Sequence, residues 1–152
     1  MRKKPTWLSK AAVLAIHERL LAEHGGAVGV LDEGLLDAAL ASPRNHLVYG
    51  QAAIFRLAAT YAHSLTRNHP FSDGNKRMAL TVAGVFLELN GFRLVAPEQD
   101  AVTATLALSE RTLDEDAFAA WLKASCTKLP RPRTARSAKA GSRAHRTRSP
   151  KP

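Results

Sequence analysis

The sequence predicts an all-α fold: one helical domain over residues 1–127, with about six helices around a buried central one, followed by a disordered basic tail over 128–152. Three observations carry that reading. Apolar residues recur every three or four positions along most of the first 125 residues, no stretch sustains the alternation of a half-buried strand, and capping and breaking residues punctuate the chain at helix-length intervals. A chain of 152 residues is long enough for one hydrophobic core and too short to expect two.

Ser9 is a good N-cap for a first helix over 9–24, with Ala12, Val13, Ile16, Leu20 and Leu21 at core-facing spacing and His24-Gly25-Gly26 as its stop. Asp32 caps a second, short helix burying Leu35, Leu36, Ala39 and Leu40, which Ser42-Pro43 is expected to end, followed by a loop through Tyr49-Gly50. A third helix spans Gln51 to Asn68 and stops at His69-Pro70. Met78 to Leu89 is apolar on nearly every face, which suits the central helix, and Asn90-Gly91 ends it. Phe92 to Val95 reads as a short extended piece. Pro97 is placed as the first residue of a fifth helix through about Ser109, and Asp114 opens a sixth carrying Phe118, Trp121 and Leu122.

Charge divides the chain sharply. Residues 1–127 hold 13 Lys+Arg and 13 Asp+Glu, whereas 128–152 hold 9 basic residues and no acid, so the net +9 belongs to the tail. Contact with nucleic acid is therefore expected only through the tail. That segment has one leucine and no aromatic residue, too little apolar surface to fold. One cysteine, Cys126, excludes an internal disulfide and fits a reducing cytoplasm. The basic N-terminus lacks the apolar run of a secretory signal, and the 12 residues from Met78 to Leu89 fall short of the roughly 20 needed to cross a bilayer, so no membrane partner is expected.

Chemistry concentrates in His69-Pro-Phe-Ser-Asp-Gly-Asn-Lys-Arg77. Asp73-Gly74-Asn75 leads into a helix whose first N–H groups lack internal partners, an arrangement that accepts anions. Lys76 and Arg77 place two cations in that first turn, against the helix dipole. A polyanion resolves the conflict: phosphates held by the N–H groups, Lys76 and Arg77, with Gly74 admitting close approach and Arg67 adding a further cation. Asp73 is the one acid in the loop and so the expected magnesium ligand. His69 is the expected base, and Phe71 the structural anchor of the loop. The pattern predicts a nucleotide-using transferase acting on a protein hydroxyl. His17, His24, His46 and His63 lack metal-ligand spacing and read as capping, surface or packing residues; Trp7, Phe118 and Trp121 read as core, and Tyr49 as a loop residue.

The nine-residue stretch resembles the signature of the Fic/Doc superfamily, specifically its death-on-curing (Doc) branch of toxin-antitoxin toxins. The segments Gly25 to Leu36 and Phe86 to Gly91, with Tyr49 and Arg67, extend the resemblance over roughly residues 7–125. The broader Fic pattern has glycine where Lys76 stands and a second arginine where Leu80 stands, and its full form transfers the AMP part of ATP. In the Doc branch this departure goes with transfer of the terminal phosphoryl group of ATP to a threonine of elongation factor Tu. The resemblance thus implies an ATP- and Mg2+-dependent kinase that inhibits translation, with His69 as base, Asp73 as metal ligand and Asn75, Lys76 and Arg77 on phosphate. Gly29 replaces the hydroxyl residue of the nearest approach to a built-in inhibitory motif, Gly29 to Gly34, so a separate Phd-like antitoxin is expected. The alternatives are an AMP transferase and a catalytically inactive binding module acting through its antitoxin or nucleic acid.

Overall fold

The computed structural model describes residues 4–48 and 53–130. The tail from 131 onward and the expected Tyr49 loop lie outside them. Six helices follow in order: α1 (Lys10–His24), α2 (Glu33–Val48), α3 (Ile54–Asn68), α4 (Asn75–Leu89), α5 (Glu98–Ser109) and α6 (Glu115–Ala124), with two short strands, β1 (Phe92–Leu94) and β2 (Cys126–Lys128). The three side-chain caps read from the sequence are present. Ser9 Oγ accepts from Ala12 N at 3.0 Å, Asp32 Oδ1 from Leu35 N at 3.0 Å, and Asp114 Oδ1 from Ala117 N at 2.8 Å.

Helices α3 and α4 form the centre together. α4 buries Met78, Ala79, Val82, Ala83, Phe86 and Leu87, as its composition requires, but Leu80, Thr81, Gly84 and Val85 remain partly open along one side. α3 is the more enclosed, burying nine of its 15 residues. Its alanines 58, 59 and 62 let α2, α4 and α6 approach from different sides, and small residues at contacts allow interaxial distances at the short end of the usual range. The sequence pointed to α4 because α3 carries polar residues, and these prove to be satisfied internally. Thr60 Oγ1 donates to Arg56 O at 2.9 Å and to the Glu115 carboxylate, and Thr66 Oγ1 to His63 O at 2.9 Å.

The second helix does not end at Ser42-Pro43. It continues through Pro43 to Val48. A mid-helix proline removes one backbone hydrogen bond and costs about 3 kcal/mol in an isolated helix. Tertiary contacts offset that loss: Pro43 is buried, the Arg44 guanidinium lies 5.0 Å above the Trp7 ring, and His46 reaches Glu115 on α6 at 3.5 Å. Two boundaries also shift. α3 begins at Ile54 after an extended Ala53, the expected start at Gln51 lying outside the described residues, and Pro97 caps α5 from outside with Glu98 as its first residue.

The extended piece after α4 has a partner that the sequence did not disclose. β1 and β2 pair antiparallel with Phe92 opposite Lys128 and Leu94 opposite Cys126, and Leu129 N donates to Gly91 O at 2.8 Å. Hydrogen-bonded chain therefore runs two residues past the 127 boundary. The N-terminal segment is tied to the same corner by Asn90, whose amide accepts from Thr6 N at 2.7 Å and donates to Thr6 O at 3.0 Å. No helix among the described residues is long and apolar enough to cross a membrane.

Candidate functional site

The loop between α3 and α4 is shaped at both ends by left-handed backbone. His69 closes α3 at φ 51°, ψ 53°, its N–H bonded to Leu65 O. A non-glycine residue there carries strain of order 1 kcal/mol, and the following Pro70 bars the right-handed alternative. Gly74 at φ 80° caps α4 without a side chain. Asp73 is thus not the helix cap. The amides of Asn75, Lys76 and Arg77, in the first turn of α4, have no acceptor among the described residues.

Asn75 organises the loop from inside. Its side chain is buried; Oδ1 accepts from Phe71 N at 3.0 Å, and Nδ2 donates to Phe71 O at 2.9 Å and to His69 Nδ1 at 3.1 Å. Because Phe71 N–H occupies the amide oxygen, Asn75 presents a donor to His69. The neutral imidazole then carries its own proton on Nε2, the nitrogen turned away from Asn75.

Asp73 is gripped on three sides. Its Oδ1 accepts from Gly74 N at 2.8 Å, its Oδ2 from Ala27 N at 3.4 Å, and its backbone carbonyl from His17 Nε2 at 3.0 Å. The turn after α1 lies close enough that a Cβ on Gly26 would stand 2.8 Å from Asp73 Oδ2. The same turn runs along the loop: Val30 bridges Phe71, Leu31 N donates to Pro70 O at 2.7 Å, and Ser72 N to Gly29 O at 3.1 Å. Val28 and Leu31 stand exposed beside it.

His69, Ser72, Asp73, Gly74, Asn75, Lys76 and Arg77 line one polar cleft of about 230 Å³. Six of the expected site residues are therefore brought together, with Phe71 fully buried beneath them. Arg67 is not in the lining. It stands one turn after His63 on α3, and its charge acts on that histidine. A second groove of about 330 Å³ adjoins the cleft across Lys76 and Arg77, walled by Leu20, Leu80, Val102 and Leu106 with His24 and Glu98 at its edge. Leu80 faces this apolar groove.

Two contributors escaped the sequence. His17, read as an ordinary packing or surface residue, is 4% exposed, stacks on Phe71 with ring centroids 4.0 Å apart and holds the Asp73 carbonyl. Its place on the buried stripe with Val13 was the available signal. Gly26 was read only as a helix stop.

Elsewhere, Glu115 gathers α2, α3 and α6: Arg56 Nε donates to it at 3.0 Å, Thr60 also donates, and His46 and His63 lie 3.5 and 3.3 Å away. Burial pushes the Glu115 carboxyl up, but Thr60, Arg56 and His63 outweigh it and hold the group below its ordinary value. Burial lowers His63, with Glu115 opposing and Arg67, Arg111 and Arg56 reinforcing.

A family model described as Fic/DOC family matches residues 7–87. The chain is 45% identical over 104 residues to a protein named Toxin Doc from Mycolicibacterium smegmatis (strain ATCC 700084 / mc(2)155), covering 64% of this chain and 78% of that one. It is 31% identical over 105 residues to Protein kinase doc of Escherichia phage P1, covering 68% and 83%. A helical domain with this loop, matched by the model over more than half its length, belongs to the Fic/DOC family, in its Doc branch.

Proposed function

We propose that the chain is the toxin of a toxin-antitoxin pair, a kinase that transfers the terminal phosphoryl group of ATP to a hydroxyl of a protein, elongation factor Tu being the expected target. The observation that carries this reading is the cleft at the start of α4, where three backbone amides without an acceptor among the described residues stand beside Lys76 and Arg77, and the glycine and second arginine of the full Fic pattern are missing. The phage relative named a kinase supports it, and the relative named a toxin supports a neutralising partner, which we take to be Phd-like.

The residues divide the work by their chemistry. The amides of Asn75 to Arg77, the Lys76 ammonium and the Arg77 guanidinium bind and orient the phosphates, which is most of what phosphoryl transfer asks of a protein. Asp73 is the carboxylate lining the cleft, and magnesium, which keeps several waters and takes phosphate oxygens, needs only one or two carboxylates. When bound, the ion supplies neutralisation of charge on the phosphate chain. His69 exchanges the proton of the target hydroxyl. To act as base it must bare Nε2, so the ring proton moves to Nδ1 and Asn75 gives up its hydrogen bond there while keeping both to Phe71.

Growth arrest on expression tests the class of activity. Arrest abolished by His69→Ala or Asp73→Ala is expected; arrest that survives both substitutions favours a binding module. A second reading, AMP transfer, keeps the same cleft and differs in which phosphorus is attacked.

A further inference from the structure

Among the described residues His17 is the one buried histidine, and it sits beneath the cleft. It comes from α1, an element outside the 69–77 loop, and makes two contacts with that loop: the stack on Phe71 at 4.0 Å and the hydrogen bond from Nε2 to the Asp73 carbonyl at 3.0 Å. A carbonyl only accepts, so Nε2 donates, and this fixes the rotation of the peptide joining Asp73 to Gly74. The N–H end of that peptide is the Gly74 amide that Asp73 Oδ1 accepts from at 2.8 Å, so the orientation of the peptide sets where the carboxylate is held. Gly74 has no Cβ to resist rotation, so the loop itself offers little to prevent the peptide from turning.

We propose that His17 is a positioning residue for Asp73: its Nε2–H locks the Asp73–Gly74 peptide so that the carboxylate faces the cleft and the α4 amides stay open to phosphate. The turn after α1 completes the grip, with Ala27 N–H on Oδ2 and Gly26 pressed against the same oxygen. α1 thus holds the ligand residue by its main chain while the turn holds its carboxylate. His17 touches neither nucleotide nor target, and acts through Asp73 alone. Outer partners that orient a metal-binding group commonly change affinity by about 10- to 100-fold when removed.

This inference rests on the reading of Asp73 as a magnesium ligand, so its test uses one readout that needs no nucleotide. In full-length protein, His17→Leu removes the donor and keeps an apolar contact for Phe71, whereas His17→Gln keeps an amide hydrogen near the Nε2 position. Hydrogen exchange resolved by residue is expected to speed at least about tenfold at Gly74 in His17→Leu, with α3 and α6 unchanged, and to stay near wild type in His17→Gln. Titration with MgATP is expected to show binding weakened about 10- to 100-fold in the leucine variant and within about threefold of wild type in the glutamine variant. Should His17→Leu fail to fold, His17→Asn, whose shorter amide cannot reach the carbonyl, takes its place with the same expectations. Gly74 exchange and MgATP binding equal to wild type in the donor-less variant overturn the proposal, as does a glutamine variant as impaired as the leucine one. Wild type that binds no MgATP contradicts the proposed function instead, while the exchange comparison still decides whether His17 sets the peptide.

Discussion

The Asn75 side chain closes a ring on the backbone of Phe71, accepting from its N–H at 3.0 Å and donating to its carbonyl at 2.9 Å. One residue of the helix therefore holds the loop that precedes it, and its remaining amide hydrogen reaches His69 Nδ1.

Asn75→Ala strands a buried N–H and a buried carbonyl at Phe71 and frees the His69 ring. The expected cost is about 2–4 kcal/mol of stability, read by urea unfolding, together with loss of transfer activity. Asn75→Ala that unfolds at the wild-type urea concentration contradicts the assigned role.

Gly26→Ala should act on Asp73 from outside the loop. The new Cβ would meet Asp73 Oδ2 at 2.8 Å and Leu21 Cδ2 at 3.2 Å, on backbone at φ +122° that side chains rarely adopt. Transfer at limiting magnesium is expected to fall by at least about tenfold. Gly84→Ala is the contrasting change: it lies inside α4 with nothing within 4 Å of the added carbon, and should raise stability by about 0.5–1 kcal/mol in thermal unfolding without touching activity.

Acid is expected to loosen the α2–α3–α6 corner in two stages. His63 in the folded protein holds its proton less tightly than the ordinary 6.5, first because it is buried, so the unfolded chain binds more protons and stability falls as pH drops below 6.5. Glu115, held below 4.5, contributes stability that is complete above that value and lost as pH falls through its folded value. Urea midpoints between pH 7.5 and 3.5 should decline in that order, and His63→Leu should remove the upper stage and shrink the lower one, because His63 helps to hold Glu115 down. A midpoint that rises between pH 7 and 5.5 reverses the sign and rejects the assignment.

The strand pairing locates where the tail can be cut. Removing residues 131–152 leaves β2 and the Leu129 to Gly91 bond in place and should leave Tm within about 1 °C. Cutting after Ser125 removes β2 and should lower Tm by several degrees.

Much of this molecule was legible in the sequence because it is written locally. Ser9, Asp32 and Asp114 announce helix starts through their own side chains, and His69-Pro70 and Gly74 announce the loop through backbone restrictions. What stayed hidden depends on partners far along the chain. Pro43 looks like a stop until Trp7 and Glu115 hold the turn that follows, and β1 has three residues, too few to alternate, with a partner over 30 positions away. His17 and Arg67 show the same limit at the site: a histidine in a helical stripe gave no sign of reaching Asp73, and a cation two residues before His69 in sequence does not line the cleft.

In the proposed reaction the cleft directs the terminal phosphorus of ATP to a protein hydroxyl. The decisive assay incubates purified protein with magnesium, elongation factor Tu and ATP labelled at either the alpha or the gamma phosphorus. Gamma label is expected on elongation factor Tu and is lost with His69→Ala; alpha label on the target overturns the kinase reading and assigns the cleft to AMP transfer.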